Sequence, residues 1–370
     1  AQGFLNPQQG EAGWLDEVTF SSSIVSNTND DGIGSLRHAI ANTVGGSTIT
    51  FDPALDGQTI NLTSQLDIDR NLTIDASGLP SGITISGNGA TRVFRVFGGV
   101  TAWLNSLTIS GGHDASLAGG GLQNFGGTAI IENSTFTGNT QAIENQGTLT
   151  LRNSTLSDNT GGEYGGGLEN SGIATLVNVT VANNRAVIRG GGIHNTNILN
   201  IENSIVAVNL ANIVTDIANI NGTINASGAN LIGSNSTVED VFDGTSPLVG
   251  TPSGWLDPLL APLRYNGGPT RTLQPLAGSP AINSAIATGN TPASDQRGMS
   301  RPVGGVSDLG AVEVDKVVVW TTADSGVGSL RQTITEVPAG STITFDPALL
   351  DGQTISLGGM QLLIDKDLSI

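Results

Sequence analysis

The chain has 370 residues, 32 of them Asp or Glu against 14 Lys or Arg, for a net charge of −18. Nucleic acid and anionic membrane would meet a repulsive field, which argues against both as partners. Only 12% of residues are charged, which sets the chain apart from disordered acidic tails, and the absence of cysteine removes disulfides, thiolate zinc sites and thiol catalysis.

Residues 1–26 read as a lead-in without a signal-peptide pattern, and no apolar run has the length of a membrane span. A β-helical stretch is expected over 27–235. Near its start, Ser35-Leu-Arg-His-Ala-Ile-Ala41 predicts a short amphipathic helix with Ser35 as N-cap and with Leu36 and Ile40 on one side. It would cover the open end of the repeats that follow.

Those repeats are anchored on Asn133, Asn153, Asn178 and Asn203, spaced 20, 25 and 25 residues apart. Apolar residues recur two before them (Ile131, Leu151, Leu176, Ile201) and three after them (Phe136, Leu156, Val181, Val206). A further asparagine recurs six after (Asn139, Asn159, Asn184, Asn209), and Leu122, Ile143, Leu168 and Ile193 recur upstream. Alternation before the anchor is period 2, and the parity switches after it, so each repeat is strand, corner, strand. One such rung cannot bury its apolar face, whereas a stack spaced by about 4.8 Å makes a continuous core. The pattern therefore predicts an all-β parallel β-helix. The four anchors fall on the inward parity, where an amide ladder between rungs is expected. Asn133, Asn153 and Asn178 also sit in N-x-S/T sequons, but the ladder accounts for their spacing and glycosylation does not. Gly triplets opening at 119, 165 and 190 supply tight turns; a strand follows them, so they are not phosphate loops.

From 236 to 314 the rung pattern fades and proline rises, predicting an irregular segment of the same unit. Residues 315–370 then open a second unit: DSGVGSLRQTITEVPAGSTITFDPALLDGQTISL (324–357) repeats DDGIGSLRHAIANTVGGSTITFDPALDGQTINL (30–62). Leu330 and Ile334 are the counterparts of Leu36 and Ile40, and Val317–Trp320 reads as a strand. Only Asp315 and Lys316 separate it from the apolar run before it, so the units are expected to be held at a defined angle in a semi-rigid rod. Residues 317–370 are expected to be ordered by a neighbouring chain, as in strand addition.

The motifs GSLRHAI, TITFDPALDGQTINL, NLTI, YNGGPTRTLQPLAGSPAINSA (265–285) and DQRGMSRPVGGVSDLGAVE (295–313) resemble the choice-of-anchor Q type of β-helical unit of large bacterial surface and secreted proteins. The resemblance covers most of residues 27–313. It implies a right-handed helix, an exported and often very long protein, and no general enzymatic activity. No sorting anchor follows the closing signature; a new unit does, which implies an internal segment of a tandem array.

Many β-helices act on polysaccharide, and that chemistry makes definite demands on the residues. A lyase on acidic polysaccharide needs a calcium cluster of Asp with an Arg or Lys base. Arg152 with Glu132 and Glu202 (Val177 lying between) is the nearest set, and it reads as an outward, solvated cross-rung pair. A hydrolase needs grouped carboxylates; Gly112-His113-Asp114 is an isolated fragment in a Gly-rich turn, and His38, His113 and His194 are dispersed. Asp295, Arg297, Arg301 and Asp308 read as a charge network that pins the irregular segment. So acidic a surface suits calcium, yet no RTX nonapeptide or EF-hand pattern places it, and no cofactor is expected. The sequence points to a non-catalytic extracellular or cell-surface protein, structural or adhesive, associating with itself or with tandem neighbours and with surface glycans. The alternative is a polysaccharide lyase or hydrolase, or a glycan-binding module.

Overall fold

In the turn that begins at Thr128 the chain runs through strands Thr128–Glu132, Thr135–Thr137 and Ile143–Asn145, and Thr148–Arg152 then restarts the cycle. The structure, a computed structural model, describes residues 23–370 apart from 115–117, 214, 235–247, 252–253, 277, 304, 315, 320, 327, 338 and 346–349. The lead-in up to residue 22, the boundary at 235–236, Asp315 and Trp320 lie outside the described residues. The described strands stack into a right-handed parallel β-helix of about eight turns.

Three parallel sheets form its walls. Sheet 1 has nine strands, from Ile24–Val25 to Thr223–Ser227; sheet 2 has seven, from Leu66–Ile68 to Ile217–Asn219; sheet 3 has eight, from Thr59–Asn61 to Leu231–Ile232. Rungs stack in register: Ala129 faces Leu149, which faces Ala174, which faces Leu199. These residues, with Ile131, Leu151, Leu176 and Ile201, fill one buried core running the length of the helix. Each fully buried Leu or Ile contributes about 1.5–3 kcal/mol. The first Gly of each triplet takes a left-handed backbone (Gly165, φ 58°), and a Cβ on Gly166 would lie 2.4 Å from the Arg185 carbonyl oxygen. No other residue fits both places.

The corner falls where the parity switch puts it, and its asparagines have another duty than the one expected. Asn133, Asn153, Asn178 and Asn203 have φ of 52, 43, 51 and 46°, the left-handed region that asparagine tolerates better than most residues. Ser106 and Gly228 occupy the same corner in the flanking turns, also with positive φ. The left-handed backbone redirects the side chain, and the four amides do not bond one another. Asn133 donates to Asn105, Asn153 to the Ser294 carbonyl, Asn178 to those of Asp308 and Gly310, and Asn203 to that of Ile286.

The amide ladders stand at two other phases. Asn124, Asn145, Asn170, Asn195 and Asn219 are linked Nδ2 to Oδ1 at 2.7 Å per step along one corner. Asn139, Asn159, Asn184 and Asn209 are linked at 2.9, 2.8 and 3.0 Å along another. The second ladder ends on a carboxylate, with Asn209 donating to Asp216 at 2.9 Å. Burial pushes Asp216 up to about 6.

Helix α1 (Leu36–Asn42) caps the first turn. Ser35 Oγ accepts from the His38 amide at 3.1 Å, and Leu36, Ala39 and Ile40 are buried. Arg37 ties the cap down through the carbonyls of Ser64 (2.7 Å) and Gln65 (2.8 Å), and Arg70 donates to the Ala41 carbonyl in the last turn (3.0 Å). Helix α2 (Leu330–Glu336) rebuilds this arrangement: Ser329 accepts from Gln332, Arg331 donates to the carbonyls of Met360 and Gln361, and Lys366 donates to those of Thr335 and Val337. Strands Lys316–Val319 and Thr342–Phe345 pair in parallel as Ile24–Val25 pairs with Thr48–Phe51. Ile334 is buried with Val319, Val337 and Ile343, and this cluster packs on Ile282 and Val314 of the first unit. Leu330 is only half-buried, where Leu36 is fully covered. The described core of this second stretch, Val319, Ile334, Val337 and Ile343, thus packs within its own chain.

Candidate functional site

Each sheet has an outward face, and the three differ in what they offer. That of sheet 3 is covered by the irregular segment. Thr135 Oγ1 donates to the Arg271 carbonyl (2.6 Å), Thr155 Oγ1 to Gln296 Oε1 (2.6 Å), and the Ala311 amide to Thr180 Oγ1 (3.0 Å). Ile205, Ala207 and Leu231 pack against Ala281, Ala285 and Leu309, so these strands are buried on both sides.

The segment is held by one buried network that unites Asp295, Arg297, Arg301 and Asp308. Arg297 pairs with Asp295 at 2.8 Å. Asp308 Oδ1 accepts from the Asn283 amide at 2.7 Å, and its Oδ2 accepts from the Val314 amide at 2.5 Å. Arg301 donates to the carbonyls of Asp308 and Gly310, and its ion-pair partner is Glu313, at 3.0 Å. Glu313, which the sequence reading passed over as part of an apolar run, is the hub: its carboxylate also accepts from the amides of Val303 and Asp308. Burial, and then the charge of Glu313, push Asp308 up to about 7. Each of these side chains is engaged by another group of the segment, as a fastening requires, although Arg301 Nε is left without a hydrogen bond. A cleft of about 320 Å3 beside it is lined by small and apolar side chains around Arg301.

The outward face of sheet 1 carries two uncharged rows, Thr128/Ile130, Thr148/Thr150, Ile173/Thr175 and Ile198/Asn200 on successive rungs. Its third row holds Glu132, Arg152, Val177 and Glu202. Arg152 and Glu132 stand 3.9 Å apart and partly exposed, a pair worth little. Glu202 departs from the solvated reading. It is buried under the irregular segment, accepting from Thr288 and Asn290 and from Ser227 at 3.2 Å.

Sheet 2 presents a row of varied polar chemistry. Asp67, Arg95, Gln123, Glu144, Glu169 and His194 lie in register, one per turn, each just before a ladder asparagine or its equivalent. The sequence reading set His194 aside as dispersed, because successive rungs place different residues here and no identity repeats. The signal was positional: Gln123-Asn124, Glu144-Asn145, Glu169-Asn170 and His194-Asn195 share one phase. Gln123 and Gln146 donate to Glu144 at 2.8 and 2.7 Å, and Gln141 donates to Glu169 at 2.8 Å. His194 stacks on Tyr164 with centroids 4.7 Å apart, and its Nδ1 stands 4.0 Å from Glu169 Oε1. Burial, and secondarily Glu144, raises Glu169; burial, with Arg189 adding to it, lowers His194.

The fragment at 112–114 also has partners, against expectation. Asp114 pairs with Arg92 at 2.9 Å, and His113 Nδ1 lies 2.9 Å from Thr140 Oγ1. His38 sits in α1, where its amide serves the cap. Among the described residues no three His, Asp or Glu side chains stand close enough to hold a metal ion, and none of their helices is long and apolar enough to cross a membrane.

No family model matches the sequence, and no curated protein does. Among solved structures the chain is similar to pectate lyase Pel9A, at 13% identity and a TM-score of 0.35, over 75% of this chain and 90% of that one.

Proposed function

We propose that the chain is a non-catalytic, extracellular or cell-surface β-helical protein of the choice-of-anchor Q kind, structural and adhesive, whose units follow one another in a tandem array. One observation carries this reading. The second unit begins with the same cap as the first, held by the same arginine contacts, and its apolar cluster is seated directly on Ile282 and Val314. A unit that docks its successor through a shared core transmits orientation from one copy to the next, as a stalk must. The buried fastening of the irregular segment serves the same end, because Asp308 binds the amide of Val314 at the junction.

The second reading, a polysaccharide hydrolase, has one observation in its favour: Glu144 and Glu169 stand on consecutive rungs, and Glu169 is held toward its neutral form. Against it, amides of Gln123, Gln146 and Gln141 already engage these carboxylates. Incubation with neutral and acidic polysaccharides decides between the two. The structural reading expects no new reducing ends and no unsaturated products; turnover lost in Glu169→Gln would contradict it.

A further inference from the structure

Among the described residues, buried polar atoms without a hydrogen bond are scattered over the molecule, as at Thr108, Arg271 and Arg301, and three of them, on Arg95, Arg189 and His194, lie on or beside the sheet 2 row. His194 Nδ1 has no hydrogen bond although its side chain is only 9% exposed, and Glu169 Oε1, its nearest acceptor, is 4.0 Å away, too far to bond. Arg189 Nε is likewise buried and unpartnered. Arg189 pairs through its backbone with Tyr164, whose ring backs His194, so these groups share one end of the row. A native structure satisfies nearly all buried polar atoms, and gaps that cluster mark a place where something else supplies the bonds.

We propose that Glu144, Glu169 and His194, with Gln141, Tyr164 and Arg189 around them, form a binding site for an uncharged oligosaccharide lying along the solenoid axis. The chemistry of the set selects the ligand. Carboxylate oxygens accept and the Arg189 guanidinium donates, while Gln141 is spent in orienting Glu169, so the ligand must do both at closely spaced points, as vicinal hydroxyls do. Glu169 and His194 are each held toward neutrality, and Glu144 and Arg189 offset one another, so the site favours neither polyanion nor polycation. The net charge of −18 disfavours acidic polymers further. The tyrosine and imidazole rings, fixed by their stacking, give the apolar flank that a sugar ring packs on. Rungs repeat every 4.8 Å or so, about the length of one sugar unit in an extended chain, so successive rungs can meet successive units. This proposal rests on the adhesive half of the function proposed above and is independent of the array.

The test is calorimetric titration of the intact chain with neutral hexasaccharides (cello-, xylo-, malto- and chito-) and with hexagalacturonate. Alongside it run Glu169→Gln, His194→Ala and the sheet 1 control Thr150→Ala, each checked for an unchanged unfolding transition. At least one neutral hexasaccharide should bind with a dissociation constant of about 1 mM or tighter, weakened about tenfold or more in either sheet 2 variant and unaffected by Thr150→Ala. Absence of binding by every neutral hexasaccharide at about 10 mM, preference for hexagalacturonate, or binding unchanged in both variants would overturn the proposal. Release of reducing ends from a bound hexasaccharide would support the site while contradicting the non-catalytic reading, so the two fail separately.

Discussion

Arg331 stands in the second unit where Arg37 stands in the first, and each donates to the aspartate seven residues before it at 2.6 Å, Asp324 in one case and Asp30 in the other. Each also reaches two backbone carbonyls of the rung below its helix. Two occurrences of one clamp within a single chain make its role testable twice. Arg37→Met strands two carbonyls and a carboxylate, and should cost about 2–3 kcal/mol in denaturant unfolding. Arg331→Met should instead loosen only α2 and the strands beside it. Hydrogen exchange should show lost protection over 330–345 with the first unit unchanged; equal loss in both units would refute the assignment.

Asn178 and Asn184, six residues apart in one turn, should differ in how much substitution costs. Asn178 holds a left-handed corner, and its side-chain amide makes only long hydrogen bonds, at 3.4 and 3.5 Å. Asn178→Gly should therefore cost about 1 kcal/mol or less, while Asn178→Val adds about 1–2 kcal/mol of backbone strain. Asn184 links Asn159 to Asn209 and also serves the carbonyls of Leu156 and Ala182. Asn184→Val leaves several buried groups unpaired and should cost about 3 kcal/mol or more. Thermal unfolding ranks the variants, and Asn178→Gly costing as much as Asn184→Val would restore the corner asparagines to the ladder.

The buried carboxylates predict a stability that rises on mild acidification. Asp308 and Asp216 have folded values of about 7 and about 6, above the ordinary 3.8 of the unfolded chain. A carboxyl raised on folding contributes stability that is fully present below its unfolded value and is lost as pH rises through the folded one. Between roughly pH 4 and 7 the folded protein thus binds more protons, and the unfolding temperature should fall as pH climbs through this window. Asp216→Asn should flatten the slope near pH 6, since the amide oxygen still accepts from Asn209. A slope of opposite sign would contradict the burial of both groups.

Much of the architecture was legible in the sequence because it is periodic. The alternation before Asn133 and its counterparts gave the strand, the parity switch gave the corner, and Ser35 with Leu36 and Ile40 gave the cap. The ladder was harder, since corner and ladder asparagines recur with one period. Spacing cannot tell a residue chosen for its backbone angle from one chosen for its amide. The sheet 2 row escaped for a complementary reason: Gln123, Glu144, Glu169 and His194 share a position and no identity. Glu313 was invisible because its partners Arg301 and Asp308 are gathered by an irregular segment with no repeat to follow.

The proposed array holds successive units in a fixed orientation through Ile282, Val314 and Ile334. The chain has no cysteine, so exposed Thr148→Cys on sheet 1 and Gln353→Cys in the second unit can carry a pair of spin labels without interference. Pulsed dipolar spectroscopy of that pair should give a single narrow distance distribution, and Ile334→Asp should broaden it. A broad distribution in the parent chain would mean that the second unit swings freely, and the semi-rigid array would be contradicted.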